Sequence, residues 1–376
     1  MKKLAATIFF ESTALLLLGL VIVMSASSAY SEFKFDSFYH LFNSHLFKVL
    51  FGFALMVLFS FIPYEIYKEY SKPAIIIVTV ILFFTLFLAP VVKGAGRRIS
   101  LGFLTFQPTD VAKLVLMIHL AVLLEAKKNI ISDFKNGFIY LFIWVIAVCG
   151  LILVQPNISN AVLLAFISIV LLYIGGAKFT HILASSFGCL IVGGTVAMII
   201  PYSRERILTF IHSIISGGNI NHQVQQALLG LGSGGIFGVG IGHGQQSNLF
   251  LPEAYGDFIF AVMGEELGFI GSIVIVLSFL ALFIVGIVIA KKTKDRFGQL
   301  LAFGISFSIV LYAFINIAVS AGLLPTTGLP LPFISYGGTS LTFLCISVGI
   351  LINIALSNSV DKKSNIEVVS NSNERL

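Results

Sequence analysis

Residues 257–290 read DFIFAVMGEELGFIGSIVIVLSFLALFIVGIVIA, and this stretch decides the fold class. From Leu267 to its end the stretch contains no charged residue. About 20 predominantly apolar residues in a helix cross the ~30 Å hydrocarbon core of a bilayer. The stretch therefore predicts a transmembrane helix, and its full length predicts that this helix is tilted or projects from the bilayer.

The composition extends this conclusion to the whole chain. Of its 376 residues, 57% are apolar and 11% are charged, and the mean hydropathy is +1.01. A soluble domain carries about a quarter charged residues, so soluble, disordered and collagen-like classes are excluded. Together with the first stretch, further apolar stretches give ten predicted spans, the others being approximately 6–28, 46–63, 73–92, 108–125, 137–155, 158–175, 179–201, 299–323 and 337–357. We expect an all-α polytopic membrane protein with about ten transmembrane helices.

The domain organisation is predicted to be simple. Residues 1–358 form one ten-span transmembrane domain, in which the largest segment between spans is about 202–256. The polar residues 359–376, rich in Ser and Asn, predict a short disordered tail. Lys2 and Lys3 before an apolar stretch resemble a signal peptide, but the length of that stretch and Glu11 within it favour a retained first span.

The basic residues predict the orientation. Fifteen of the 23 Lys and Arg residues lie on the same side of the predicted spans as the N-terminus, seven lie on the opposite side, and Lys113 lies within span four. Cytoplasmic loops of membrane proteins carry an excess of Lys and Arg. This bias predicts that both termini are cytoplasmic and that the 202–256 segment is outside, where the polar motifs also concentrate.

The first polar motif is the outer loop that contains Lys93, Arg97 and Arg98. Three cations are unexpected on the outer side, and two interpretations are equally open. They interact with lipid phosphates at the membrane surface, or they bind an anionic head group of a substrate, since Arg binds phosphate oxygens in a bidentate manner.

The second motif is Asp110 and Lys113 at the start of span four. Residues three apart share one face of a helix and can pair within the membrane. Charges in the hydrocarbon region are costly, so they mark either a functional site or an obligatory structural pair. Both interpretations stay open from the sequence alone.

The third motif is rich in glycine, with eight glycines among the fifteen residues 230–244. No Gly-Lys-Ser/Thr follows, so this is not a nucleotide-binding P-loop. Glycine permits close approach of backbone to a ligand, and it equally permits a tight re-entrant loop.

The fourth motif runs from Glu253 to Glu266. Asp257 stands at the outer mouth of span eight, where a helix cap is the simplest role for it. Glu253 is either a solvated loop acid or a ligand of a sugar hydroxyl. Glu265 and Glu266 require pairing or protonation if buried, or they form a proton or cation relay of a transporter.

Metal and disulfide sites are not predicted. The seven His residues are scattered without metal-ligand spacing, and Cys149, Cys189 and Cys345 lie in apolar runs. No dinucleotide or nucleotide-sugar motif is visible, so no organic cofactor is expected.

Four segments together resemble one family. They are KGAGRRISLGFLTFQPTDVAK at 93–113, GSGGIFGVGIGHGQQSNLFLPEAYGDFIF at 232–260, GEELGF at 264–269 and LLPTTGLPLPFISYGGTS at 323–340. In this order they are similar to the SEDS family of shape, elongation, division and sporulation proteins, which includes FtsW and RodA. The likeness extends along nearly the whole chain, and the segment 325–330 favours the division member FtsW.

The resemblance implies a ten-span peptidoglycan glycosyltransferase of the bacterial cytoplasmic membrane. Such enzymes polymerise lipid II on the outer face and release undecaprenyl diphosphate. They work with a class B penicillin-binding protein, which crosslinks the new strands, and with other division proteins; no nucleic acid is involved. Whether a divalent cation assists the diphosphate stays open.

The resemblance also assigns roles to individual residues. Asp257 occupies the position of the family's essential acid, which makes it the predicted catalytic base. Lys113 matches the family's lysine in span four, and Asp110 stands where a glutamate is usual. Lys93, Arg97 and Arg98 become candidates for binding a diphosphate, and Glu253 for binding substrate.

Three positions depart from the family pattern. Tyr255-Gly256 replaces the usual His-Thr, Ile99 replaces a tryptophan, and Asn157 replaces an aspartate after Gln155-Pro156. The last departure removes a negative partner from the family's ion-pair network.

Two other functions compete with the glycosyltransferase. A flippase for the lipid-linked cell-wall precursor explains ten spans and intramembrane charges equally well, but it predicts functional polar residues in both leaflets. A structural scaffold explains the fold but not an acid at Asp257. The concentration of polar motifs on the outer side favours the enzyme.

Overall fold

The computed structural model describes residues 1–88, 99–101, 104–216, 221–246 and 250–373. Within them the chain is helical apart from one short hairpin. The elements are α1 (Lys2–Phe35), α2 (His40–Phe61), α3 (Ile66–Leu88), β1 (Ile99–Leu101), β2 (Leu104–Phe106), α4 (Pro108–Ala126), a π-helical turn (Phe134–Phe138), α5 (Ile139–Val154), α6 (Ile158–Ile174), α7 (Phe179–Ile199), α8 (Pro201–Ser216), α9 (His222–Ser233), α10 (Ile259–Lys292), α11 (Arg296–Ser320) and α12 (Thr339–Asn373).

The ten predicted spans correspond to α1–α7 and α10–α12. Eight helices in the described part of the chain are long and apolar enough to cross a membrane. The other two predicted spans are α6, which has 17 residues, and α4, which carries Asp110 and Lys113 in its first turns. The predicted fold class, an all-α polytopic membrane protein, is confirmed.

Helices α11 and α12 form the centre of the bundle. Of the apolar 18-residue stretch in each helix, 67% is buried in α11 and 78% in α12. Helix α12 packs against α2 and α11 against α10 and α4, whereas α7 packs mainly against α6 and α8 and is 22% buried. Because the surrounding solvent is lipid, the exposed apolar side chains of α7 require no protein partner.

Helix α10 is not one continuous span. Gly268 has a left-handed backbone (φ 68, ψ −168), so α10 consists of the pieces 259–267 and 269–292. The second piece is about 36 Å long at 1.5 Å per residue and suffices by itself to cross a ~30 Å core. The excess length predicted for span eight is therefore a separate short helix next to Asp257.

The large segment between spans seven and eight contains α8, α9 and a glycine-rich turn that packs against the break in α10. At the C-terminus the backbone of α12 stays helical to Asn373, across most of the segment for which the sequence predicts a disordered tail. That segment contains no Gly or Pro to stop a helix, and extending an existing helix is easier than starting one.

Candidate active site

A cavity of about 820 Å³ opens at the end of the bundle where α1 ends and α2, α4 and α6 begin, here called the cavity end. Four residues predicted from the sequence as site residues line it, namely Asp110, Lys113, Glu253 and Asp257. The other three, Lys93, Arg97 and Arg98, lie outside the described residues. The fold brings together two segments that are about 145 residues apart in sequence, because Asp110 and Lys113 line the same cavity as Asp257.

A tight turn places Asp257 at the cavity. Glu253 adopts a left-handed conformation (φ 59), and the Gly256 N–H donates to the Glu253 carbonyl at 2.9 Å. Left-handed backbone at a residue other than glycine is strained and is typical of functional sites. The N-cap of α10 is Phe258, so Asp257 lies one residue before the cap.

The loop 321–338 between α11 and α12 holds this turn in place. Asn316 Nδ2 donates to the carbonyls of Asp257 (2.8 Å) and Leu329 (2.7 Å). Ser335 Oγ donates to the Gly256 carbonyl at 2.7 Å, and the Tyr336 N–H donates to the Tyr255 carbonyl at 2.9 Å. The backbone around Asp257 is therefore fixed by side chains that sequence reasoning missed.

The Asp257 carboxylate lies against Gly328. A Cβ added at Gly328 would be 3.5 Å from Asp257 Oδ2, and Gly328 has φ 73. The backbone conformation therefore favours glycine here, and a side chain at this position would contact the Asp257 carboxylate.

Asp110 and Lys113 lie on the α4 wall of the cavity. Asp110 Oδ2 accepts a hydrogen bond from Thr339 Oγ1 at 2.8 Å, and Thr339 Oγ1 accepts one from the Gln107 N–H at 3.0 Å. Lys113 Nζ lies 4.3 Å from the ring centroid of Tyr312, within range of a cation–π interaction, and is attracted by the Asp110 charge. Thr339 links the start of α4 to the start of α12.

The departure at Asn157 connects to the same wall. Asn160 Nδ2 donates to Asn157 Oδ1 at 3.0 Å, and Tyr312 Oη donates to Asn160 Oδ1 at 2.9 Å. The family pattern has an acid at position 157. Here a chain of neutral side chains leads from Asn157 to the Tyr312 ring that Lys113 contacts.

Three further cations line the cavity, namely Lys34, Lys48 and Arg206. Lys48 is buried; its Nζ donates to Tyr336 Oη at 2.9 Å and lies 4.1 Å from that ring's centroid. Arg206 on α8 donates to the Thr326 carbonyl at 3.2 Å and stacks on Tyr202. From the sequence, Lys48 and Arg206 contribute only to the predicted orientation, although Lys48, like Lys113, is a lysine at the start of an apolar stretch.

Three tyrosines form one side of the cavity. The ring of Tyr255 lies 5.4 Å from that of Tyr30 and 5.7 Å from that of Tyr336, centroid to centroid. Burial, and next the charge of Glu253, raise the pKa of the Tyr255 phenol, so it stays a neutral hydroxyl at physiological pH. Tyr255 thus replaces a titratable histidine of the family pattern with an uncharged aromatic surface.

The glycine-rich turn contacts the break in α10. The N–H groups of Val239 and Gly240 donate to the carbonyls of Glu265 (3.0 Å) and Glu266 (3.1 Å). The Phe269 and Ile270 N–H groups donate to the Gly235 and Ile236 carbonyls at 2.9 and 3.2 Å. Of the two interpretations of this motif, the structure supports the tight loop, whose hydrogen bonds satisfy backbone groups that the break in α10 leaves unpaired.

No metal site is evident in the part of the chain that the structure describes, where no three His, Cys, Asp or Glu side chains are grouped closely enough to hold an ion. Of the acids at the cavity, Asp110 lies on α4, whereas Glu253 and Asp257 lie four residues apart in one turn.

The fold and the cavity define the class first: a polytopic helical membrane protein with a polar site open at one end of the bundle. Over residues 6–360 the chain matches the family model described as "Cell cycle protein", named for FtsW, RodA and SpoVE. The chain belongs to this family, which confirms the resemblance seen in the sequence.

Relatives match over nearly their full length. The probable peptidoglycan glycosyltransferase FtsW of Geobacter sulfurreducens is 37% identical over 352 residues, which cover 93% of this chain and 94% of that protein. Stage V sporulation protein E of Bacillus subtilis is 34% identical over 364 residues, covering 94% and 98%.

Solved structures share the fold. A chain of a peptidoglycan synthase complex superposes with a TM-score of 0.75 at 24% identity, covering 93% of this chain and 97% of that one. The rod shape determining protein RodA of Thermus thermophilus superposes with a TM-score of 0.69 at 22% identity, covering 93% and 96%.

Proposed function

We propose that this protein is a peptidoglycan glycosyltransferase that polymerises lipid II into glycan strands, in cell division, on the outer face of the bacterial cytoplasmic membrane. The supporting observation is the position of Asp257, whose carboxylate faces a cavity that Lys113 also lines. The relatives named FtsW support the activity and the division role.

The proposed reaction needs one base and one site for negative charge. An acceptor sugar hydroxyl attacks the anomeric carbon of the lipid-linked sugar, and the bond from that carbon to the diphosphate oxygen breaks. Asp257 takes the hydroxyl proton, and undecaprenyl diphosphate leaves with the bonding electrons. A carboxylate positioned in this way contributes a factor of about 10²–10⁴ to the rate.

Cations of the cavity stabilise the departing diphosphate in this proposal. Lys113 is one, and Lys48 and Arg206 are two of the other cations that line the cavity. Lys93, Arg97 and Arg98 keep the same predicted role on the basis of the resemblance. Glu253 is proposed to bind a sugar hydroxyl, because it lies at the cavity beside the turn that holds Asp257.

The proposed partner is a class B penicillin-binding protein, which would crosslink the strands made here. A neighbour in fold comes from a peptidoglycan synthase complex that coordinates polymerization and crosslinking. Other division proteins are proposed as further partners from the resemblance.

Asp257→Asn tests the base. We expect polymerisation of lipid II by the purified full chain with its penicillin-binding partner to fall by a factor of ~10²–10⁴, because an amide cannot accept the proton. Asp36→Asn is the matched control, since Asp36 is an exposed left-handed residue at the end of α1, where Asn fits equally well.

Parental activity in Asp257→Asn would remove Asp257 from the mechanism. Transfer of labelled lipid II between vesicle leaflets, measured on the same samples, distinguishes the flippase. Translocation by the protein without any polymer would overturn the proposed enzyme.

The proposed orientation places the cavity end outside and both termini in the cytoplasm. In a variant in which Cys149, Cys189 and Cys345 are replaced by Ala, we expect a cysteine at Glu205 in α8 to react with a membrane-impermeant thiol reagent in intact cells. A cysteine at Ser132, at the opposite end of the bundle, should react only after lysis. The reverse pattern would contradict the orientation.

A further inference from the structure

The short helix 259–267 carries two neighbouring carboxyl groups that the proposed reaction does not use. Glu265 and Glu266 are both buried, at 2% and 1% exposure, and neither lines the cavity. The helix begins two residues after Asp257, so its orientation determines where the Asp257 carboxylate lies. What holds this helix therefore also holds the proposed base.

The two carboxyl groups have different partners. Glu265 accepts two backbone hydrogen bonds, from the Gln245 N–H at 2.9 Å and the Gln246 N–H at 3.1 Å, one on each oxygen. A carboxyl group offers an acceptor on both oxygens, whereas an amide offers an acceptor on one. The Glu265 side chain therefore binds the backbone that follows the glycine-rich turn through both of its oxygens.

Glu266 reaches a different helix. Its Oε1 accepts a hydrogen bond from Ser25 Oγ of α1, and the Gly242 N–H also faces the carboxyl group. Among the described residues its Oε2 has no hydrogen-bond partner. The Ser25 hydroxyl needs only one acceptor oxygen, and an amide oxygen can accept this hydrogen bond as well as a carboxylate oxygen can.

The neighbouring packing supports this link. Ala26 of α1 is buried in a cluster with Phe258, Ala261 and Val262 at the start of α10. The Ser25–Glu266 hydrogen bond joins the same two helices beside this apolar cluster. A hydrogen bond has a defined direction, which apolar contacts lack, and it is stronger in an apolar environment than in water.

We infer that Glu266 is a positioning residue, which through Ser25 fixes the short helix 259–267 against α1 and thereby sets the position of Asp257. The inference rests on the proposed role of Asp257 as the base. It assigns Glu265 and Glu266 to the architecture of the site rather than to a proton or cation relay.

The test compares kcat and KM of lipid II polymerisation by the full chain with its partner. Ser25→Ala and Glu266→Ala should each lower kcat about tenfold or more, because small displacements of a catalytic group are costly. KM should change little, since neither side chain lines the cavity. The double variant should be no worse than the worse single variant, because both remove the same hydrogen bond.

The conservative variants separate positioning from charge. Glu266→Gln should keep kcat within about twofold, since its amide oxygen still accepts from Ser25. Glu265→Gln should lower kcat, because its NH₂ would face a backbone N–H. Ser28→Ala is the control on α1, since Ser28 Oγ bonds only within its own helix, to the Ser25 carbonyl at 3.0 Å.

The outcomes are decisive even if Glu266→Ala fails to fold. A loss of kcat of about tenfold or more in Glu266→Gln, or parental kcat in Ser25→Ala, would overturn the inference. Failure of the proposed function looks different, because the unaltered protein would then form no polymer. Failure of the base role alone would leave Asp257→Asn active whatever Ser25 and Glu266 do.

Discussion

The start of α4 and the start of α10 carry buried ionisable pairs that look alike in sequence but differ in what surrounds them. Asp110 and Lys113 face the cavity. Glu265 and Glu266 face the glycine-rich turn and α1, and their hydrogen bonds go to the chain itself. Burial of an ionisable side chain in an apolar span therefore does not by itself identify a ligand site. The groups that surround the side chain show whether it faces a ligand cavity or binds the protein's own backbone.

The physical reason lies in the break at Gly268. An interrupted helix exposes N–H and C=O groups, and apolar surroundings offer them no water. The turn around Gly238 approaches so closely that a Cβ there would lie 2.1 Å from the Glu266 carbonyl oxygen. Polar residues collect at this point because the backbone is irregular, whereas α4 is regular and its polar residues Asp110 and Lys113 line the cavity.

The largest effect that would distinguish the α4 pair from the α10 pair is expected on activity, for a substitution of Lys113. We predict that Lys113→Met lowers lipid II polymerisation by about a hundredfold or more, because it removes a charge available to the diphosphate. The thermal midpoint in detergent should change far less, since the side chain keeps its length. The rate and the midpoint are measured on the same preparation.

Lys68→Met is the matched control. Lys68 is a lysine of α3 that pairs with Glu125 at 2.6 Å, and both side chains are about a third exposed. Such pairs contribute about 0–1 kcal/mol, so activity should persist. Near-normal activity of Lys113→Met would place the α4 pair in the same structural class as the α10 pair.

A smaller effect, on stability, is expected in the glycine-rich turn. Gly238→Ala should lower the thermal midpoint most, because it combines φ 82 with the contact to the Glu266 carbonyl. Gly242→Ala has the same φ but open space, and should cost only the strain of a left-handed residue, about 1–2 kcal/mol. Gly232→Ala, in α9 with open space, should be neutral or stabilising by up to ~1 kcal/mol.

Equal midpoints for Gly238→Ala and Gly232→Ala would contradict the packing of the turn into the break. The glycine series therefore tests whether the polar groups near the break in α10 serve the packing of the backbone. The Lys113 series tests whether the polar groups of α4 serve a ligand.

Hydropathy predicted the positions of the helices because it is a local property of about 20 residues. It also placed Asp110, Lys113 and Asp257 at one end of the bundle, where the cavity joins them. The break at Gly268 was not predicted, because its hydrogen-bond partners lie about 30 residues earlier in the chain. A local pattern contains no information about such a partner.

Asn316 was missed for a related reason. It is an amide within an apolar span, buried to 1% exposure. Its role depends on the carbonyls of Asp257 and Leu329, which only the fold brings near. The feature that could have marked it is the cost of an amide in an apolar helix, which requires a partner.

The order of elements around the break has a consequence for the biogenesis of the protein. Residues 234–240 precede α10 in the chain, so they leave the ribosome before it. The groups that satisfy the break are therefore already present when the apolar helix enters the bilayer. If α10 came first, its open backbone groups would favour a continuous helix through Gly268, and the later turn would have to break it. Synthesis in the observed order avoids this rearrangement, and it makes the glycine-rich turn a template for the helix that follows it.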